Sequence, residues 1–177
     1  MKKLLGLMLV ATGLVAVGAR GDEADETALI KKKAQSLGDS IKKGDYATLA
    51  DLTYPKVVEM AGGKEKMVER VTQQMEQMKA QGVTLTSVKV GEPGKRAMKG
   101  KHTFVVVPST TELATPDARI AVKSYLLGIS PDGGKTWTFI DGNGLASKQG
   151  RDLILPEMPE GFQLPEPQKP EITRKAQ

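Results

Sequence analysis

The sequence predicts an α+β domain in which N-terminal helices pack in a curved antiparallel sheet and an extended, proline-rich tail follows. Three observations carry this. Apolar residues recur at helical spacing over residues 22–81, the period changes to alternation after Gly82, and residues 124–142 read as strand, turn, strand.

Ahead of the domain stands a leader. Met1-Lys2-Lys3 is a basic start, residues 4–17 are apolar and uncharged, and Val17-Gly18-Ala19 offers small or apolar groups where a signal peptidase cuts. A membrane anchor competes with this reading, but the apolar run is shorter than the roughly 20 residues a spanning helix needs. The absence of cysteine excludes a lipobox, a disulfide frame and thiolate chemistry. Residues 1–19 are therefore expected to be a signal peptide, 20–150 the folded domain and 151–177 the tail. The expected location is periplasmic or extracellular, with the membrane met only through the leader before cleavage.

In chain order, residues 22–43 form the first expected helix, capped by Asp22 or Asp25, with Ile30, Ala34, Leu37 and Ile41 on one face. Gly44 ends it and Asp45 caps a short second helix, which Pro55 stops. A turn carrying Val57, Val58 and Met60 leads to Gly62-Gly63. A longer helix over 64–81 follows, with Val68, Val71, Met75 and Met78 as its expected buried stripe. Residues 83–90 alternate as a strand whose phase slips at Ser87-Val88, the mark of a bulge. Residues 92–100 read as a polar connection, 101–107 as a second strand, 109–117 as a loop and 118–130 as a long third strand. The hairpin returns through Trp137. Residues 153–170 are dense in proline and aperiodic, which predicts neither helix nor central strand, but a tail laid over the domain or extended into solvent.

A sheet that covers helices from one side curls, and the bulge assists it. This element order, with Gly44-Asp45-Tyr46-Ala47-Thr48-Leu49-Ala50-Asp51-Leu52 between helices, resembles the nuclear transport factor 2-like superfamily, which includes ketosteroid isomerases and polyketide cyclases. The resemblance covers residues 24–142. It implies a cone-like sheet wrapped on the long helix with a pocket at its open end. The isomerases of that group use a buried aspartate base opposite a tyrosine and a protonated aspartate, and that trio has no counterpart here.

Ser130-Pro131-Asp132-Gly133-Gly134-Lys135-Thr136-Trp137 resembles the Asp-box, S-x-D-x-G-x-T-W, which recurs in sialidase-like propellers. A propeller carries one copy per blade, and this chain carries one copy. Ser130, Asp132, Gly134 and Trp137 are therefore expected to be structural: the oxygens satisfy turn amides and the indole packs beneath.

The formal charge of +5, about +3 without Lys2 and Lys3, is modest, and aromatics do not interleave with the lysine runs, so nucleic acid is not an expected partner. Arg20-Gly21-Asp22 spells an adhesion tripeptide that is read as coincidence. His102 is the sole histidine, which removes histidine triads and multi-histidine metal sites within one chain. Neither a phosphate-cradling glycine loop nor calcium-loop spacing is present. No cofactor and no metal are expected. Tyr54, Met60, His102 and Tyr125 are the expected pocket residues, and none is read as a catalytic acid or base.

The expected function is non-catalytic binding of a small apolar ligand or an envelope protein, with a homodimer left open. The alternatives are an isomerase or dehydratase acting on a hydrophobic substrate, and an interaction module presenting the hairpin tip and tail. Export with cleavage after Ala19 predicts that N-terminal sequencing of the exported protein starts at Arg20; an intact Met1 there would refute it.

Overall fold

A computed structural model describes residues 18–155, 158–166 and 168–175. The expected signal peptide lies, up to Val17, outside the described residues. Four helices come first: α1 (Gly18–Lys43), α2 (Tyr46–Leu52), α3 (Pro55–Met60) and α4 (Lys64–Ala80). Strands β1 (Thr84–Val90), β2 (Ala97–Lys99), β3 (His102–Ala114), β4 (Ala118–Ser130) and β5 (Thr138–Asp141) follow. A 3-10 turn (Gly142–Leu145), a short helix α5 (Lys148–Ile154) and strand β6 (Glu171–Arg174) complete the chain. The class is α+β, with N-terminal helices and a strongly curled antiparallel sheet that forms a half-barrel.

The sheet is built on the long pair β3–β4, with β1 and β2 on the outer side of β3 and β5 and β6 on the outer side of β4. The phase slip near Ser87 is a bulge: the β1–β3 register shifts between Leu85 and Ser87, and Thr86 donates its hydroxyl to the Glu112 carbonyl at 3.0 Å. The loop expected over 109–117 is instead strand as far as Ala114, because its threonines pair with β1 and β4 on both sides. Pro108 is tolerated mid-strand because β1 ends opposite Ser109, so the missing N–H has no strand to serve. Its carbonyl still accepts from the Gly91 amide at 2.8 Å. The connection expected over 92–100 contains β2.

Alternation along β3 and β4 sends side chains to two faces. Val105, Val107 and Leu126, with Trp137 and Phe139, form the core under Ile30, Ala34 and Leu37 of α1 and Leu49 of α2. Gly38 lets α1 approach β1, since a Cβ there would stand 2.6 Å from Val88 Cγ1. The Gln35 amide completes the contact by donating to the Val88 carbonyl (3.0 Å) and accepting from the Val90 amide (3.2 Å), so it blocks the open edge of β1. The stripe expected to be buried on α4 is only half-buried. That helix packs on α2 and α3 and has no strand face to itself, so α1 is the helix the sheet encloses.

The second face carries Phe104, Tyr125, Leu127, Ile129 and Ile140, and it too is buried. Its cover is the C-terminal segment: Ile154, Leu155, Met158, Phe162 and Leu164 lie on it, with Phe162 and Phe104 ring centres 5.9 Å apart. Among the described residues of the C-terminal segment, Met158, Phe162 and Leu164 pack on this face and residues 171–174 pair with β4. The helix-free reading from Leu153 onward needs correction, because α5 runs to Ile154 with Ser147 as its cap, accepting from the Gly150 amide at 3.0 Å. Trp137 is 4% exposed at the centre of the helix-side core. Trp137→Ala should therefore cost about 3–5 kcal/mol in urea unfolding followed by circular dichroism; a loss below about 1 kcal/mol would contradict a core role.

Candidate functional site

The hairpin tip has the structural organisation expected of it. Ser130 Oγ accepts from the Gly134 amide (2.7 Å) and donates to Asp132 Oδ1 (2.8 Å). Asp132 accepts in turn from the amides of Lys135 (3.1 Å) and Thr136 (2.9 Å) and from the Thr136 hydroxyl (2.8 Å). The Trp137 indole donates to the Gly134 carbonyl at 2.9 Å, which ties the loop to the core. Gly134 has φ +101°, and a Cβ there would stand 2.1 Å from Glu26 Oε1. The positive φ is what demands glycine, and the tip lies against the Glu26 side chain of α1. Arg96 holds the same Glu26 with Nη1 2.9 Å from Oε2, close enough for an ion pair but out of hydrogen-bonding line.

The four expected pocket residues do not converge. Met60, at the end of α3, is 50% exposed. His102, at the start of β3, stands 6.3 Å from the Phe104 ring centre, beside the second core. Tyr54 precedes α3, packs on that core and donates its amide to the Phe139 carbonyl at 2.9 Å, guarding the edge of β5. Tyr125 alone lines a sizeable cleft. This cleft, about 790 Å³, lies not between sheet and helices but between the outer sheet face and the C-terminal strap.

The cleft exists because the strap is anchored at its two ends and arches between them. At one end Arg151 of α5 donates Nη1 to the carbonyls of Leu145 (2.8 Å) and Ala146 (3.2 Å). At the other, β6 pairs with residues 118–121 of β4, and Lys175 grips the β3–β4 turn through the carbonyls of Asp117, Thr115 and Pro116. On the same side of β4, β5 pairs only with residues 126–129, so residues 122–125 have no strand neighbour there among the described residues. Leu145, Met158, Phe162 and Leu164 supply the apolar walls, and Tyr125, Arg151 and Glu166 the polar groups.

Sequence reasoning missed Leu145, Arg151 and every strap residue. Two signals pointed to them. Phe104-Val105-Val106-Val107 and Tyr125-Leu126-Leu127 are continuous apolar runs, which mark strands buried on both faces. Leu155, Met158, Phe162 and Leu164 are the apolar residues in the tail that such a face requires.

Burial pushes the Tyr54 and Tyr125 phenols above their usual value; beside Tyr125, Arg151 pulls down and Asp141 pushes up. Both are neutral at physiological pH. Among the described residues no group of histidine, cysteine, aspartate and glutamate is arranged to hold a metal ion.

The hydrogen bonds to Asp132, the Thr136 amide foremost, lower its carboxyl from 3.8 to about 2. The folded-state value lies below the unfolded one, so the carboxylate contributes stability above pH 3.8 that is lost as pH falls through about 2. Melting temperatures between pH 5 and 2 should thus fall more steeply for the wild type than for Asp132→Asn, and superimposable profiles would remove the carboxylate from the account.

Compared with protein-family models, curated proteins and solved structures, the chain has no match, so the site is read from its own geometry.

Proposed function

We propose that this chain is an exported, non-catalytic domain, a cone-like relative of the nuclear transport factor 2-like group, that binds a small apolar ligand beneath its C-terminal strap. The observation that carries the reading is the strapped cleft. Its volume of about 790 Å³ falls in the range of small-molecule sites, and the apolar side chains of Leu145, Met158, Phe162 and Leu164 share its walls with Tyr125, Arg151, Gln163 and Glu166. The element order and the curled sheet support the relationship. The basic, then apolar, then small-residue start supports export to the periplasm or medium.

Acid–base chemistry of the isomerase kind needs a carboxylate in hydrogen-bond reach of a tyrosine. Among the described residues neither Tyr54 nor Tyr125 makes a side-chain hydrogen bond, which favours binding over turnover. The helix-side core, where the family resemblance implies a pocket, is occupied by Ile30, Ala34, Leu37, Trp137 and Phe139. The outer face is the alternative, and the strap makes it a pocket rather than a surface.

A neutral fluorescent probe, N-phenyl-1-naphthylamine, should brighten on binding the purified protein and raise its melting temperature. Phe162→Ala should weaken binding about three- to tenfold, the loss expected when part of one apolar wall is removed. A probe that neither brightens nor stabilises the fold, or that binds Phe162→Ala unchanged, would refute the site.

A further inference from the structure

Strand β6 leaves an edge of the sheet uncovered. Gln35 occupies the edge of β1 at Val88 and Val90, and the Tyr54 amide meets the edge of β5. By contrast, β6 pairs with residues 118–121 of β4 on one side and has no strand on the other among the described residues. Glu171, Ile172, Thr173 and Arg174 are all exposed, Ile172 to 64%. Ile172 also ends an apolar row. Leu85 stands opposite Leu113, Leu113 opposite Ile120 and Ile120 opposite Ile172, so the four share one face across β1, β3, β4 and β6. The first three are half-buried, and the row stops at the free edge.

A single hydrogen bond fixes which backbone groups that edge offers. The Lys175 amide donates to the Asp117 carbonyl at 2.9 Å, towards β4. Successive N–H groups of a strand point to opposite sides. Glu171 and Thr173, like Lys175, therefore direct their N–H and C=O groups at β4, and Ile172 and Arg174 direct theirs outward. Unpaired groups in this arrangement are a template for another strand. Pro170, which has no N–H, ends the template ahead of Glu171.

We propose that a second copy of this chain pairs with β6, antiparallel, about a two-fold axis through Thr173, so that the two sheets become one. A two-fold axis perpendicular to a sheet preserves its faces, so only registers centred on a residue are open. With Thr173 at the centre, Ile172 faces the partner's Arg174, and each such pair exchanges both N–H···O bonds, which uses every outward group of β6. Ile172 then meets the aliphatic stem of that arginine, and Thr173 meets its own copy, a favourable cross-strand pair. Glu171 faces the partner's Lys175. Both charges are already placed at this edge, Glu171 by Lys123 at 2.6 Å and Lys175 by the Thr115 and Pro116 carbonyls. Centring on Ile172 instead would set Arg174 against Pro170, which has no N–H to return, and Lys175 against Lys169. Hydrogen bonding and charge both select Thr173. One short strand makes a small interface, so the dimer is of the weak, reversible kind. It is independent of what the cleft holds.

Sedimentation of the purified protein at rising concentration, up to about 1 mM, should show the mean mass passing from one chain towards two. Ile172→Lys sets a charge against the partner's Arg174 and keeps the backbone groups that bond β4. It should weaken the dimer about tenfold or more while circular dichroism stays unchanged. The register has a separate test, because the chain contains no cysteine. Facing residues outside the hydrogen-bonded pairs have Cα atoms about 4.5 Å apart, within the reach of a disulfide. Thr173→Cys should therefore oxidise to a covalent dimer several times faster than Ile172→Cys or Arg174→Cys. Should Ile172→Lys fail to fold, these cross-linking rates decide alone. A monomer at every concentration, a dimer that Ile172→Lys leaves unchanged, or cross-linking that is not fastest at position 173 would overturn the proposal.

Discussion

Everything in this fold depends on the fact that the β3–β4 pair is apolar on both faces. Val105, Val107 and Leu126 point one way, and Phe104, Leu127 and Ile129 the other. A sheet of this kind is stable only as the middle of three layers, since an uncovered apolar face loses about 25 cal/mol for each Å² left in water. The N-terminal helices form one outer layer. The strands are spent on the sheet itself, so most of the second layer comes from residues beyond β5, with Tyr54 and Val57 adding to it from the helical side. That requirement explains why a tail rich in proline, with little regular structure of its own, is part of the folded domain.

The strap is an economical cover. Ordering a residue costs about 1–2 kcal/mol, and a half-buried Leu, Met or Phe returns less than the 1.5–3 kcal/mol of full burial. A flexible tail with four such anchors would not hold. Pro159 and Pro165 lower the entropy the unfolded tail has to lose, and the two fixed ends, Arg151 on the 3-10 turn and β6 on β4, make the docking intramolecular. The arch between these anchors cannot follow the sheet closely everywhere. The space left over is the cleft, and it falls beside residues 122–125 of β4, where neither β5 nor β6 supplies a neighbour.

Other polar contacts close the edges and fix the layers in register. Gln35 occupies the free edge of β1, Tyr54 reaches the edge of β5 through its backbone, and the Ser130–Trp137 tip lies with Gly134 against Glu26 of α1. The Asp-box resemblance therefore describes a local solution to a tight turn. Its serine, aspartate and threonine oxygens are consumed by the amides and hydroxyl of the turn itself, which leaves them little capacity for a ligand.

By itself the sequence determined the parts whose physics is local. Helical spacing placed α1 and α4, Pro55 and Gly62-Gly63 punctuated the helices between them, the phase slip at Ser87 marked the bulge, and Asp132-Gly133-Gly134 specified the hairpin. It also held, in the run Phe104-Val105-Val106-Val107, the sign that both faces of β3 would be covered. What it did not hold was the identity of the covering groups. Periodicity reports which face of an element is apolar, but not which distant segment meets it, and the strap has no period to read. Only the tertiary structure decided that α1 rather than α4 lies in the curl, that Met60 faces water while Tyr125 lines a cleft, and that Arg151 stands beside that tyrosine across 26 residues of chain. These are long-range pairings, set by how three layers share one sheet, and no local pattern encodes them.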